Sequence, residues 1–134
     1  MKKVAVVLCG SGYKDGSEIR ESVATLWALS EAGAEVQCYA PNLPQSRVVN
    51  CLTGEVVASE SRNMLVESAR IARGKVKPLF ELKMREFDAL ILPGGFGAAL
   101  NLCTFGTQGS KGTVLPELQR ALEEAFQTQK PIGA

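Results

Sequence analysis

Apolar and polar positions follow two different periods along this chain, and their alternation lays out an α/β domain. Residues 4–9 form an unbroken apolar run rich in β-branched side chains and closed by Gly10-Ser11-Gly12, the pattern of a strand buried on both faces of a parallel sheet. The period then changes. Ile19, Val23, Leu26, Trp27 and Leu29 recur at helical spacing between Asp15 and Gly33, and Asp15 with Glu18 has the spacing of an N-cap and its N3 partner in a capping box. Gly33 closes that helix, residues 35–40 alternate as a second strand, and Pro41 and Pro44 stop it, which predicts a right-handed βαβ unit.

Beyond it, residues 47–52 and 55–58 flank Thr53-Gly54 and predict two short strands or a hairpin excursion. Residues 61–73 read as a helix with Leu65, Ala69 and Ala72 on one face, closed by Gly74, and residues 78–85 as a further short helix. Residues 88–92 are a third buried strand, running into the glycine-rich turn Pro93-Gly94-Gly95-Phe96-Gly97. A short helix over 98–102, a loop over 105–112 and an amphipathic helix over 114–129 follow, the last built on Leu115, Leu118, Leu122, Ala125 and Phe126 with Pro116 in its first turn. Residues 130–134, Lys-Pro-Ile-Gly-Ala, match the opening of another parallel strand, so the sheet is expected to be unfinished within this sequence. A truncated chain, one piece of a cleaved protein, or a partner that supplies the rest would each explain it.

Composition narrows the possibilities. At 134 residues and 46% apolar content the chain has the size of one domain, 1–134. Fifteen basic against fourteen acidic side chains, with the basic ones scattered, leave no electrostatic footprint for nucleic acid. The apolar runs are too short to span a bilayer. The absence of histidine removes any Ser/His or Cys/His dyad and any His-ligated metal built from this chain alone, and no cofactor is expected. Cysteines 9, 38, 51 and 103 form no C-x-x-C pair and read as free thiols. The amino terminus lacks the features of a signal or transit peptide, which predicts a soluble intracellular protein.

Candidate chemistry sits at two glycine-rich loops, each at the carboxyl end of a predicted strand, where open α/β sheets bind their ligands. The first holds Gly10, Ser11 and Gly12, the second Gly94, Gly95 and Phe96. Backbone amides in such loops can face an anion or a developing oxyanion, or the glycines can simply make a tight turn. The first loop is a poor dinucleotide fingerprint, because G-x-G-x-x-G would need glycine where Asp15 stands. Glu18 lies in the first turn after the strand, where desolvation would raise its pKa for proton transfer; the alternative is a capping role. Arg62 and Asn63, or Arg70 with Arg73, offer donors to an anionic ligand or form an ordinary charged helix face.

Several stretches together resemble one family: Gly10-Ser11-Gly12, Asp15-Gly16-Ser17-Glu18-Ile19, Glu60-Ser61-Arg62-Asn63, Glu67-Ser68-Ala69-Arg70-Ile71-Ala72-Arg73-Gly74, Pro93-Gly94-Gly95-Phe96-Gly97-Ala98-Ala99 with Asn101-Leu102, and Lys130-Pro131-Ile132-Gly133. The chain is similar over its whole length to the enhancing-lycopene-biosynthesis proteins, which include the mitochondrial class 1 glutamine amidotransferase-like proteins of animals. These lie in the superfamily of PfpI-type peptidases and the parkinsonism-associated deglycase. The resemblance implies a flavodoxin-like three-layer α/β sandwich with a mainly parallel sheet, truncated here before the nucleophile elbow of a class I glutamine amidotransferase-like domain.

It further implies a nucleophilic cysteine just after the strand that begins at Lys130, touched by a glutamate whose position Glu18 matches. The amides of Gly94, Gly95 and Phe96 would complete an oxyanion hole, and Asn101 lies in the matching A-x-N-L stretch. Some members convert small 2-oxoaldehydes to hydroxy acids. Two departures stand out: the sequence stops at Ala134, before the cysteine, and Ser11 stands where the family has cysteine while Cys9 stands where serine is common. The chain alone is therefore expected to be inactive, and to aggregate, dimerise as a homo-oligomer, or require a complementary carboxyl-terminal fragment, because the Leu118 and Leu122 stripe would lose part of its cover. A non-catalytic small-ligand or partner-binding module is the competing reading, and a phosphate-holding flavodoxin-like protein a third. Family membership implies mitochondria for an animal protein and the cytosol for a bacterial one.

Overall fold

The computed structural model describes residues 1–134. Five parallel strands, β1 (Lys3–Val7), β2 (Glu35–Ala40), β3 (Val76–Pro78), β4 (Ala89–Ile91) and β5 (Ile132–Gly133), lie in the order β3-β2-β1-β4-β5. Apart from the short edge strand β3 this is the order of a flavodoxin-like sheet, whose connections reverse direction between β1 and β4. The helices are α1 (Ile19–Glu31), α2 (Met64–Ala72), α3 (Phe96–Leu100), α4 (Phe105–Gln108) and α5 (Pro116–Gln127).

The period-two geometry of β1 sorts its side chains onto two cores. Val4, Val6 and Leu8 join Cys38 and take cover from Leu26 and Leu29 of α1 and Ile71 of α2, while Ala5, Val7 and Cys9 join Tyr39, Leu79, Met84, Leu90 and the α5 residues Leu118, Ala121 and Ala125. Val6, Leu8 and Leu90 are fully buried, each worth about 1.5–3 kcal/mol of transfer free energy. A strand buried on both faces has no polar side to show, which is why β1 reads as a continuous apolar run.

The βαβ unit, the third buried strand, the amphipathic helix with Pro116 at its start, and the strand opening at residue 132 all form as expected. The excursion after β2 is a hairpin held by one antiparallel bridge, Val49 to Val56. Elsewhere the structure corrects the sequence reading. Residues 78–85 are not a helix but two 3-10 turns, Leu79–Glu81 and Met84–Glu86, broken by extended backbone at Leu82 and Lys83. Residues 105–112 are not loop but α4 followed by a 3-10 turn. Strand β3 has three residues, too few to display a period. In α1 only Leu26 and Leu29 of the apolar set face the core; Ile19, Val23 and Trp27 are exposed, Trp27 at 65%. Leu118 is not left uncovered: it is 3% exposed, within a cluster that includes Leu79, Leu82 and Met84 of the two 3-10 turns, and Leu122 packs against that cluster. No helix is long and apolar enough to cross a membrane.

Candidate functional site

The crevice at the sheet's reversal point is bounded by the loop after β1 and the turn after β4. The first loop closes on itself. Gly12 donates to the Ser17 carbonyl at 2.9 Å, Gly16 to the Gly12 carbonyl at 2.8 Å, Ser17 to the Gly10 carbonyl at 3.4 Å, and Gly10 to the buried Ser68 hydroxyl at 2.9 Å. Three amides are thus spent within the loop and that of Gly10 on α2, so these four do not face a phosphate.

Asp15 does not cap α1. Its side chain is 6% exposed and accepts from the Val49 amide at 2.8 Å, so it pins the hairpin excursion to the first loop. The N-cap is Glu18, in extended backbone conformation, whose Oε2 accepts from the Glu21 amide at 2.6 Å. Glu18 therefore takes the cap that spacing gave to Asp15, and Asp15 serves the excursion instead. The Glu21 carboxylate, one turn further on, has no hydrogen-bond or ion-pair partner in the chain, and it lies against the second glycine turn: a Cβ built on Gly94 would stand 2.5 Å from Glu21 Oε2. Sequence spacing singled out Glu18 and passed over Glu21. No local signal separated the two, because Glu18 becomes the cap only once Asp15 is drawn to the Val49 amide.

The turn after β4 is packed too tightly for any side chain but hydrogen. Gly95 has φ +124°, and a Cβ on it would collide with the Gly16 carbonyl and stand 2.5 Å from the Glu18 amide nitrogen. The Phe96 amide, expected to be an oxyanion donor, instead donates to the Tyr13 carbonyl at 2.9 Å, and the Gly97 amide to the Gly16 carbonyl at 3.0 Å. The amides of Gly94 and Gly95 have no acceptor in the chain. Two donors, not three, are left without a partner, and Gly94 lies beside the Glu21 carboxylate.

The remaining candidates divide. Ser11 and Arg62 line one polar cavity of about 360 Å³ together with Asp15, Gln45, Cys51 and Glu60. Arg62 is not a free donor there, since it pairs with Glu60 at 3.3 Å and Glu67 at 3.6 Å. Asn63 points elsewhere: it caps α2, accepting from the Val66 amide at 3.0 Å, and donates to Asn42. Asn101 is a clamp, its Nδ2 donating to the Cys9 carbonyl at 3.0 Å and the Asp15 carbonyl at 2.8 Å while its Oδ1 accepts from the Ser46 amide at 2.9 Å. Gly10 and Gly12 are buried beneath these contacts. Burial pushes the Cys9 thiol up to about 11, against the opposing hydrogen bond with Ser17, and burial alone pushes Cys38 up to about 11. Neither is a thiolate near neutral pH, and neither is a nucleophile. No group of three His, Cys, Asp or Glu side chains stands together to hold a metal ion.

A flavodoxin-like sheet, unpaired amides on a glycine turn and a carboxylate without a partner at the reversal point make this a flavodoxin-like α/β domain with its candidate site at the carboxyl ends of the strands. No protein-family model matches the chain. It is 51% identical over 131 residues to the human "Glutamine amidotransferase-like class 1 domain-containing protein 3, mitochondrial", covering 98% of this chain and 49% of that protein. The rat "ES1 protein homolog, mitochondrial" is 50% identical over 131 residues, with the same shares covered. Among solved structures, the isoprenoid biosynthesis protein with amidotransferase-like domain from Ehrlichia chaffeensis superposes with a TM-score of 0.93 at 42% identity, over 100% of this chain and 61% of that one. Over nearly its whole length the chain is similar to class 1 glutamine amidotransferase-like (ES1) proteins, and it shares the fold of an amidotransferase-like domain. It spans about half the length of the curated relatives it matches.

Proposed function

We propose that this chain forms the amino-terminal portion of a cysteine-dependent enzyme that converts a small 2-oxoaldehyde to the hydroxy acid, with the nucleophile supplied by sequence corresponding to the remaining half of its relatives. The observation that carries the reading is the pairing of the open Gly94 and Gly95 amides with the unpartnered Glu21 carboxylate at the sheet's reversal point. In this scheme a thiol adds to the aldehyde carbon, and the oxygen that gains charge is met by the two amides, which cost no reorganisation because they are already unpaired. Glu21 carries a proton from the aldehyde carbon to the neighbouring carbonyl carbon, and water releases the acid. The aldehyde carbon is oxidised and its neighbour reduced, so no external oxidant is required.

Glu21 takes the proton-transfer role first assigned to Glu18, because Oε2 of Glu18 is held by the cap of α1 whereas neither oxygen of Glu21 has a partner and both lie against Gly94. The test is methylglyoxal turnover by the complete protein in Glu21→Gln and Glu18→Gln forms. Glu21→Gln should lower kcat by about 100-fold or more with KM little changed, whereas Glu18→Gln should act mainly on stability. A Glu21→Gln protein with parental kcat overturns the assignment. The competing reading, a small-ligand binding module, draws on the open polar cavity beside Ser11 and Asp15. It predicts saturable ligand binding by a complete protein with no turnover. The mitochondrial names of the two mammalian relatives favour a mitochondrial location for an animal member, testable by imaging a tagged full-length protein.

A further inference from the structure

Two cations outside the machinery described above stand in one cavity with nothing to balance them. Lys14, on the first loop, and Arg47, on the hairpin excursion, line a cavity of about 210 Å³ with Val49, Gly54, Val56 and Phe96. No carboxylate lines it, and neither cation lies within ion-pair distance of one. Arg62, by contrast, is neutralised by Glu60 and Glu67. The Lys14 ammonium stands 5.7 Å from the centroid of the Tyr13 ring and 3.0 Å from where a Cβ on Gly54 would lie, at the tip of the hairpin. Gly54 has φ +83°, a conformation that favours glycine, and its lack of a Cβ leaves this space open. The rest of the lining includes exposed apolar side chains, Phe96 at 60% and Val56 at 52%.

Like charges sharing a cavity repel, and exposed aromatic surface costs solvation, so both features call for a ligand that cancels them. We propose that this cavity binds an organic anion, with its carboxylate or phosphate head between Lys14 and Arg47 and a flat apolar body against Phe96 and Val56. The volume is about seven times the ~30 Å³ that one water takes in the liquid, room for an aromatic ring with its acid group. The arginine supplies a planar fork for two oxygens and the lysine a point charge. The three lining segments come from the first loop, the excursion and the turn after β4, so occupancy ties all three together. This binding does not depend on the catalytic reading, because it uses neither Glu21 nor a thiol.

The experiment is an NMR titration of the ¹⁵N-labelled protein with phenyl phosphate, benzoate, inorganic phosphate and benzyl alcohol, following the amides of Lys14, Gly54 and Phe96. One or both organic anions should shift these amides saturably, with benzyl alcohol and inorganic phosphate about tenfold weaker or more. Tighter binding of phenyl phosphate assigns the head group as phosphate, and tighter binding of benzoate as carboxylate. Lys14→Gln, Arg47→Gln and Phe96→Ala should each weaken the preferred anion several-fold while the remaining amides keep their positions, and Lys14→Arg should retain binding. Absence of saturable shifts at these amides, inorganic phosphate or benzyl alcohol binding as tightly as the organic anion, or charge-removing variants that bind like the parent would each overturn the proposal.

Discussion

Asn101 offers the sharpest quantitative test of how the candidate site is held together. Its amide group makes three hydrogen bonds to three different segments: the Cys9 carbonyl at the end of β1, the Asp15 carbonyl of the first loop, and the Ser46 amide of the hairpin excursion. Asn101→Ala strands two carbonyls and one N–H in partly buried surroundings. At about 1 kcal/mol of net stability for each bond, the loss is about 3 kcal/mol. For a chain of 134 residues that corresponds to roughly a 10 °C fall in melting temperature. Asn101→Asp keeps the acceptor for Ser46 but aims a negative charge at two carbonyl oxygens, so it should be at least as damaging. Urea unfolding followed by circular dichroism measures the loss, and an unchanged m-value identifies it as stability rather than a change in the unfolded state. Hydrogen exchange should in addition accelerate at Ser46 before the β1 amides are affected. An Asn101→Ala protein within about 0.5 kcal/mol of the parent would refute the clamp, since surface substitutions without a structural role fall in that range.

Further outcomes follow from the same geometry. Gly95→Ala should cost about 3 kcal/mol or more because its Cβ meets the Gly16 backbone, while Gly33→Ala, at φ +74° with open space around it, should cost only about 1 kcal/mol; equal losses by urea titration would contradict the packing. At pH 8 a thiol reagent should modify Cys51 and Cys103 in the native protein and all four cysteines in urea, because burial holds Cys9 and Cys38 protonated near 11; rapid labelling of four native thiols would show that β1 and β2 are not covered as described. Asp88 accepts from the Lys3 amide at 2.8 Å, which lowers its pKa below the ordinary 3.8. Its contribution is present above that value and is lost as pH falls through the folded-state pKa, so the stability gap between the parent and Asp88→Asn should close in acid. A gap that persists at pH 2 would be inconsistent with this linkage.

What could be read from the residues, and what could not, divides by the range of the interaction. Strands β1, β2 and β4, helix α5 and the opening of β5 are visible because apolar period, proline position and glycine closure are local properties, decided within a few residues. The two glycine loops at the strand ends were legible for the same reason. The roles of individual site residues were not. Whether Asp15 or Glu18 capped α1 depended on the Val49 amide, 34 residues away, which captures Asp15 and leaves the cap to Glu18. Whether three amides or two remain open depended on the Tyr13 carbonyl reaching Phe96. Asn101 passed for a ligand contact because its partners lie up to 92 residues away in the chain. Arg62 lost its candidacy to Glu60 and Glu67, while Lys14 and Arg47, 33 positions apart in sequence, came to share a cavity. Periodicity determines which face of an element is buried; only tertiary packing decides which polar group finds a partner, because a hydrogen bond or ion pair is settled by a few tenths of an ångström between segments that the sequence keeps apart.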